Sequence, residues 1–194
     1  MDPHLVETFV AIDTETGGLD PQVHPLLTLG IVVSIRRGGG AWEEVYAREF
    51  KFPYHGEEVD DKAMAVTGIY LEDHVGDEKG LIFPADIEEV LLDVIPEGAT
   101  LVGHNVGFDI GFLAVSGVNI PNVTPCILDT YSLATALWGS GTYSARSLAS
   151  WLRLKAPYTH NALMDARFAM EAITAMLLLL DERRISTPSP VSSP

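Results

Sequence analysis

Around residue 60 the chain changes its pattern, and that change constrains the fold more than any other feature. Ahead of it, three apolar segments read as strands: Phe9–Asp13, Leu26–Ile35 (LLTLGIVVSI) and Trp42–Phe50 (WEEVYAREF). The turn-rich GGLDPQVHP joins the first pair, and Arg36-Arg37-Gly38-Gly39-Gly40 joins the second. Three strands on short links predict an antiparallel meander. Beyond residue 60, helices alternate with short strands. Asp60–Thr67 is expected as a short helix, and Pro84–Ile95 as a longer one that opens with Pro and early acids. Thr100–His104 reads as a buried strand, Gly107–Val115 as a helix, and a fifth strand is expected near Cys126–Asp129. Helices follow at Thr130–Leu137, Ala145–Leu154 and Ala162–Asp181. Strands first, then strands alternating with helices, describe an α/β chain with a mixed sheet flanked by helices.

With 194 residues, 47% of them hydrophobic, the chain can bury one full core. There is no internal repeat and no sign of a second domain, so residues 1–185 are expected as one domain. The Ser/Pro-rich stretch 186–194 (STPSPVSSP) is expected to be disordered. The one cysteine, Cys126, excludes an internal disulfide. MDPHLVET has neither the basic start nor the apolar stretch of a signal peptide. The most apolar segment, Ala172–Leu180, is too short to cross a bilayer. A cytoplasmic protein without membrane attachment is expected. The net charge of −15, from 27 acids and 12 bases, argues against broad, unspecific attachment to duplex DNA.

The first strand poses the chemical question. The apolar run Phe9-Val10-Ala11-Ile12 continues straight into Asp13-Thr14-Glu15. Unpaired charge at the edge of a core is costly without a counter-ion. Alternation along a strand projects Asp13 and Glu15 together while Thr14 points away. Asp109 lies in the otherwise uncharged GHNVGFDIGFL, and Asp165 lies near the start of the most apolar helix. His160 falls on the loop ahead of that helix, which makes it a mobile base beside a fixed carboxylate. Four converging carboxylates cannot all stay ionised without cations. Hard oxygen ligands suit Mg²⁺ or Mn²⁺. Two such ions support phosphoryl displacement, and a histidine can take the proton from an attacking water. An EF-hand reading of DTETGG fails, because Gly17 and His24 stand where oxygen ligands are required.

DTETGGLDP, HNVGFD and HNALMD, in that order, resemble the three motifs of the DEDDh (DnaQ-like) 3′→5′ exonucleases. The sister branch places Tyr four residues before the last Asp, where this chain has Asn161. The resemblance implies a ribonuclease H-like fold, a five-stranded mixed sheet with helices on both faces. It implies that Asp13, Glu15, Asp109 and Asp165 hold two divalent cations, Mg²⁺ or Mn²⁺, with Asp13 bridging and His160 as general base. It places backbone around Thr16 and Gly17 against the terminal nucleotide, Leu19 as a wedge beside its base, and Phe108 near the sugar. Val66-Thr67-Gly68 resembles the segment that closes over the end. The common family form carries Thr where Gly17 stands.

The activity implied is metal-dependent removal of 3′-terminal nucleotides from single-stranded DNA or RNA, releasing nucleoside 5′-monophosphates. Two alternatives rank below it: a proofreading subunit serving a DNA polymerase, and a catalytically silent module that binds 3′ ends. A homodimer is expected only by analogy with relatives. Blander expectations cover the rest. His104-Asn105 orients the Asp109 loop through backbone bonds, and His4, His24, His55 and His74 lie on the surface. Glu57–Asp61 and Glu72–Glu78 form solvated faces, and Arg146, Arg153 and Lys155 either guide a nucleic-acid backbone or are simply solvated.

Overall fold

The structure is a computed structural model that describes residues 6–76, 80–120, 124, 126–139, 141, 143–155 and 158–186. Its first half is the expected meander: β1 (Val6–Thr16), β2 (Leu26–Arg37) and β3 (Glu43–Lys51), paired antiparallel in sequence. Two short strands, β4 (Thr100–Gly103) and β5 (Cys126–Asp129), then join parallel to β1, giving the order β3-β2-β1-β4-β5. The sheet is mixed and five-stranded. The unbroken apolar run of β2 is explained by its place beside β1 near the centre, where Leu26 to Ile35 are all buried.

Among the described residues, six α-helices cover the sheet: α1 (Asp61–Thr67), α2 (Pro84–Val94), α3 (Gly107–Val115), α4 (Thr130–Trp138), α5 (Ala145–Leu152) and α6 (Ala162–Ser186). Local chemistry sets their ends. Asp60 caps α1, Asp129 caps α4 and Ser144 caps α5, each side chain accepting a backbone N–H of the first turn. Gly68 closes α1 with φ of 67°, where its N–H donates to Met64 O. A 3₁₀ turn over Leu71–His74 was not expected from the sequence. Ser186 ends α6; the rest of the Ser/Pro-rich stretch, and His4 with Glu78, lie outside the described residues.

Strand alternation divides the core. Val10 and Ile12 pack with Ile87 and Leu91 of α2 and Phe112 of α3 on one face. Phe9 and Ala11 pack with Ala166, Ala169, Met170 and Ile173 of α6 on the other. Helices therefore lie on both faces. A third cluster joins Ala134 of α4 and Leu148 of α5 to Phe168 and Ala172 of α6. Gly30 decides how closely α6 can approach. It stands opposite Asp13 in the β1–β2 register, and a Cβ there would overlap the backbone of Ala162 and Leu163 at the start of α6. Its hydrogen is what lets that helix begin over the sheet.

Candidate functional site

Because β1 runs on past β4, its end is left with an open edge. The β1–β4 pairing stops at Ala11, opposite Val102, and β1 continues to Thr16. Asp109, in the first turn of α3, takes up that edge. Thr14 donates to its Oδ1 from both the backbone N–H and the hydroxyl, at 2.7 Å each. Thr14 does point away from its neighbours, as alternation predicts, and it points to the carboxylate it holds. Asp13 and Glu15 belong to the opposite set, the one that faces α6. There Asp165, 1% exposed, accepts N–H bonds from Thr159 and His160, each at 2.8 Å. Ligand atoms of Glu15, His160 and Asp165 lie within 4.8 Å of one another.

The histidine is less free than the sequence suggested. Its N–H is tied to Asp165, and its φ of 58° lies in the left-handed region, a costly place for a residue with a Cβ. The ring packs edge-on against Tyr158, with 4.8 Å between centroids.

The electrostatics are those of a crowded, buried anionic cluster. Burial, then Asp109, Glu15 and Asp165 in turn, push the Asp13 carboxyl far above the usual range. Burial and the neighbouring Asp165, Asp109 and Glu49 push Glu15 up to about 8. Burial also raises Asp109, to about 7, against the lowering effect of its two bonds from Thr14. Asp165 is raised by burial and held back by the Thr159 and His160 N–H groups. Among the described residues, the ion pairs lie elsewhere: Arg36 with Glu7, Arg37 with Glu43 and Arg167 with Glu44. Oxygen-rich, with all four carboxyls raised, the cluster is suited to hard divalent cations.

In front of the cluster lies a cleft of about 1130 Å³ that includes Asp13, Glu15, Asp109 and His160 in its lining. Thr16, Leu19, Thr67 and Phe108 line it as well. The Thr16 hydroxyl donates to Gly18 O at 2.6 Å and so shapes the turn after β1. Leu19 is 80% exposed at the cleft, which leaves an apolar side chain standing in solvent. Gly17 does not line the cleft. Its N–H donates to Pro25 O and its carbonyl accepts from Asp60 N, and a Cβ would press on Pro25 and Val59. Here the glycine joins the β1 turn to the cap of α1.

Several contributors escaped sequence reasoning. Tyr158 also lines the cleft, and its place two residues before His160 was the available signal. Gly30 gave no signal without the pairing register. His74, expected on the surface, is 1% exposed, with Nδ1 2.8 Å from Phe52 O. The 3₁₀ turn folds it inward, and burial lowers its pKa. His55 is exposed, and His24 is half-buried in the turn after β1, with Nδ1 3.1 Å from Asp20 N. His104 bonds backbone at Tyr143, as expected, and also a side chain, with Nδ1 2.9 Å from Thr130 Oγ1. Asn105 donates its N–H to Asp129.

Comparison with known proteins gives consistent results. Residues 10–173 match the RNase_T family, described as exonuclease. The chain is 33% identical over 177 residues to a PolC-type DNA polymerase III of Thermotoga maritima, covering 89% of this chain but only 12% of that much longer protein. It is 32% identical to a DNA polymerase III subunit epsilon of Salmonella typhimurium, covering 86% of this chain and 70% of that one. The corresponding subunit of Treponema pallidum is 27% identical, with 90% and 78% covered. Among solved structures, E. coli exonuclease I in complex with a dT13 oligonucleotide superposes with a TM-score of 0.66 at 14% identity, over 92% of this chain and 42% of the other. S. pombe Pop2p in its Mg²⁺- and Mn²⁺-bound form gives 0.67 at 16% identity, over 91% and 84%. Among the described residues no helix is long and apolar enough to cross a membrane.

Proposed function

The chain belongs to the RNase T exonuclease family, DnaQ-like and ribonuclease H-like in fold, and from that premise we propose that it removes nucleotides one at a time from the 3′ ends of single-stranded DNA or RNA, releasing nucleoside 5′-monophosphates. The observation that carries this reading is the convergence at one end of β1. Two carboxylates from the strand, one from α3 and one from α6 meet beside a histidine whose backbone is pinned to the last of them.

Asp13, Glu15, Asp109 and Asp165 would hold two divalent cations, Mg²⁺ or Mn²⁺, which when bound offset the carboxylate charge and polarise the scissile phosphate. Thr14 keeps Asp109 oriented and favours its ionised form. Asp165 fixes the 159–160 loop, so that the His160 ring reaches the site from a defined backbone position and takes a proton from the attacking water. Leu19 and Phe108 give the terminal nucleotide apolar surface, while Thr16 and Thr67 border it. Apolar contact of this kind tolerates any base.

The test is digestion of end-labelled single-stranded DNA and RNA of matched sequence with Mg²⁺, Mn²⁺ or EDTA. Stepwise shortening from the 3′ end that requires metal is expected, and His160→Ala should reduce its rate about 10²–10⁴-fold. Binding of 3′ ends without product would replace the reading with that of a silent binding module. A second reading draws on relatives named as DNA polymerase III subunit epsilon, two of which this chain covers to 70% and 78%. On that reading the same chemistry serves a DNA polymerase, and co-purification with one is its test.

A further inference from the structure

One segment departs from the acidic character of the rest. The 35 residues 130–164, between Asp129 and Asp165, contain no Asp or Glu, although the chain has 27 of them. The segment holds Arg146, Arg153 and Lys155, so it carries +3 in a chain of −15. It also holds two of the three tryptophans, Trp138 and Trp151, together with Tyr131, Tyr143 and Tyr158.

The described residues of this stretch include α4, α5, Tyr158 to His160 and the start of α6. One side of it is a wall of the cleft: Tyr131, Ser144, Ala145, Arg146 and Tyr158 all line it. Away from the cleft, the aromatic rings continue as a connected set. Tyr143, next in the chain to Ser144, lies 6.2 Å from Trp138 and 6.2 Å from Trp151, and Trp151 meets Trp138 edge-on at 4.1 Å. Trp138 and Tyr143 pack against the third core cluster, which accounts for them structurally. Trp151 is different: it is 54% exposed on the outside of that set. Arg146 and Arg153 are exposed too, and no ion pair holds either among the described residues. A large aromatic face in water, on the same short helix as Arg146 and next but one to Arg153, suits a partner with flat rings and negative charges.

We propose that α5 and its flanks form a track for the nucleic-acid strand upstream of the terminal nucleotide, with phosphates on Arg146 and Arg153 and a base stacked on Trp151. The inference rests on the exonuclease reading of the cleft and adds to it where the rest of the strand goes. Continuity runs through Arg146, which lines the cleft, and through Tyr143, which joins the cleft wall to Trp151. In a chain of −15, a stretch free of Asp and Glu is a favoured path for a polyanion.

The experiment compares wild type, Trp151→Ala and Arg153→Gln on oligonucleotides of two and ten nucleotides, with KM measured at several salt concentrations. Wild type is expected to hold the ten-nucleotide strand more tightly than the dinucleotide. In Trp151→Ala that preference should shrink about 5- to 160-fold, the usual cost of losing one base–aromatic stack. In Arg153→Gln the salt dependence should flatten by about 0.7 to 1 in its logarithmic slope. Quenching of tryptophan fluorescence by the ten-nucleotide strand in EDTA reads binding without turnover, and it should weaken in Trp151→Ala. Equal preference for the two lengths in wild type, or unchanged quenching, length preference and salt slope in both variants, would overturn the proposal and leave the band to a protein partner. If wild type neither cleaves nor binds any oligonucleotide, it is the exonuclease reading that fails.

Discussion

At the scale of single residues, the site is governed by what burial does to carboxylates. Glu15 and Asp109 titrate near 8 and 7 in the folded chain, against ordinary values of 4.5 and 3.8. The folded form therefore binds more protons than the unfolded one between about pH 4 and 8, so their contribution to stability falls as pH rises through that window. Metal-free protein should lose Tm between pH 5 and 8.5, and Mg²⁺ should raise Tm more at pH 8 than at pH 5, because the ion competes with protons for the same oxygens. Thermal melts with and without EDTA measure both. A Tm rising with pH in EDTA would mean that the cluster is not strained by its own charge. Thr14→Val removes one of the two donors to Asp109, and removal of a buried hydrogen-bond donor to a charged group costs about 1–3 kcal/mol. Asp109 should then ionise at higher pH, moving the acid limb of the pH–rate profile upward.

Among the elements, α6 is placed by a contact no side chain makes. Gly30 on β2 leaves room for the backbone of Ala162 and Leu163, and α6 carries Asp165 in its first turn. Gly30→Ala should destabilise the fold by about 1–3 kcal/mol, as overpacking does. Activity should fall as well, since the start of α6 can only move outward. Gly111 in α3 is the matched control: a Cβ there meets only Pro21 Cγ, at 4.0 Å. Gly111→Ala should be neutral or stabilise by up to about 1 kcal/mol through helix propensity. Equal Tm for the two variants would show that the close approach at Gly30 is slack.

For the whole molecule, net charge and its distribution pull in opposite directions. A chain of −15 repels itself, so raising ionic strength from about 0.02 to 0.2 M should raise Tm modestly. The same salt should weaken binding of an oligonucleotide, because released counterions drive that association. Melting and titration in one salt series would test the pair of opposite trends. The two trends would coincide if the substrate were held by apolar contact alone.

Much of this was legible from residues in order. Gly107–Val115 and Cys126–Asp129 occur as expected, because periodicity, caps and turn residues act within a few positions. The meander, the mixed sheet and the two carboxylates on one side of β1 follow from the same local rules. What the chain could not display was any property set by distant atoms. Thr14 and Asp109 are 95 residues apart, and only the early stop of β4 brings one to the other. His74 carries no mark of burial until the 3₁₀ turn folds it against Phe52. Gly30 looks like any glycine in a strand until α6 crosses it. Periodicity belongs to the chain, whereas desolvation and close backbone approach belong to the packed solid; the sequence determined which groups the proposed chemistry calls on, and tertiary structure decided their charge and how firmly they are held.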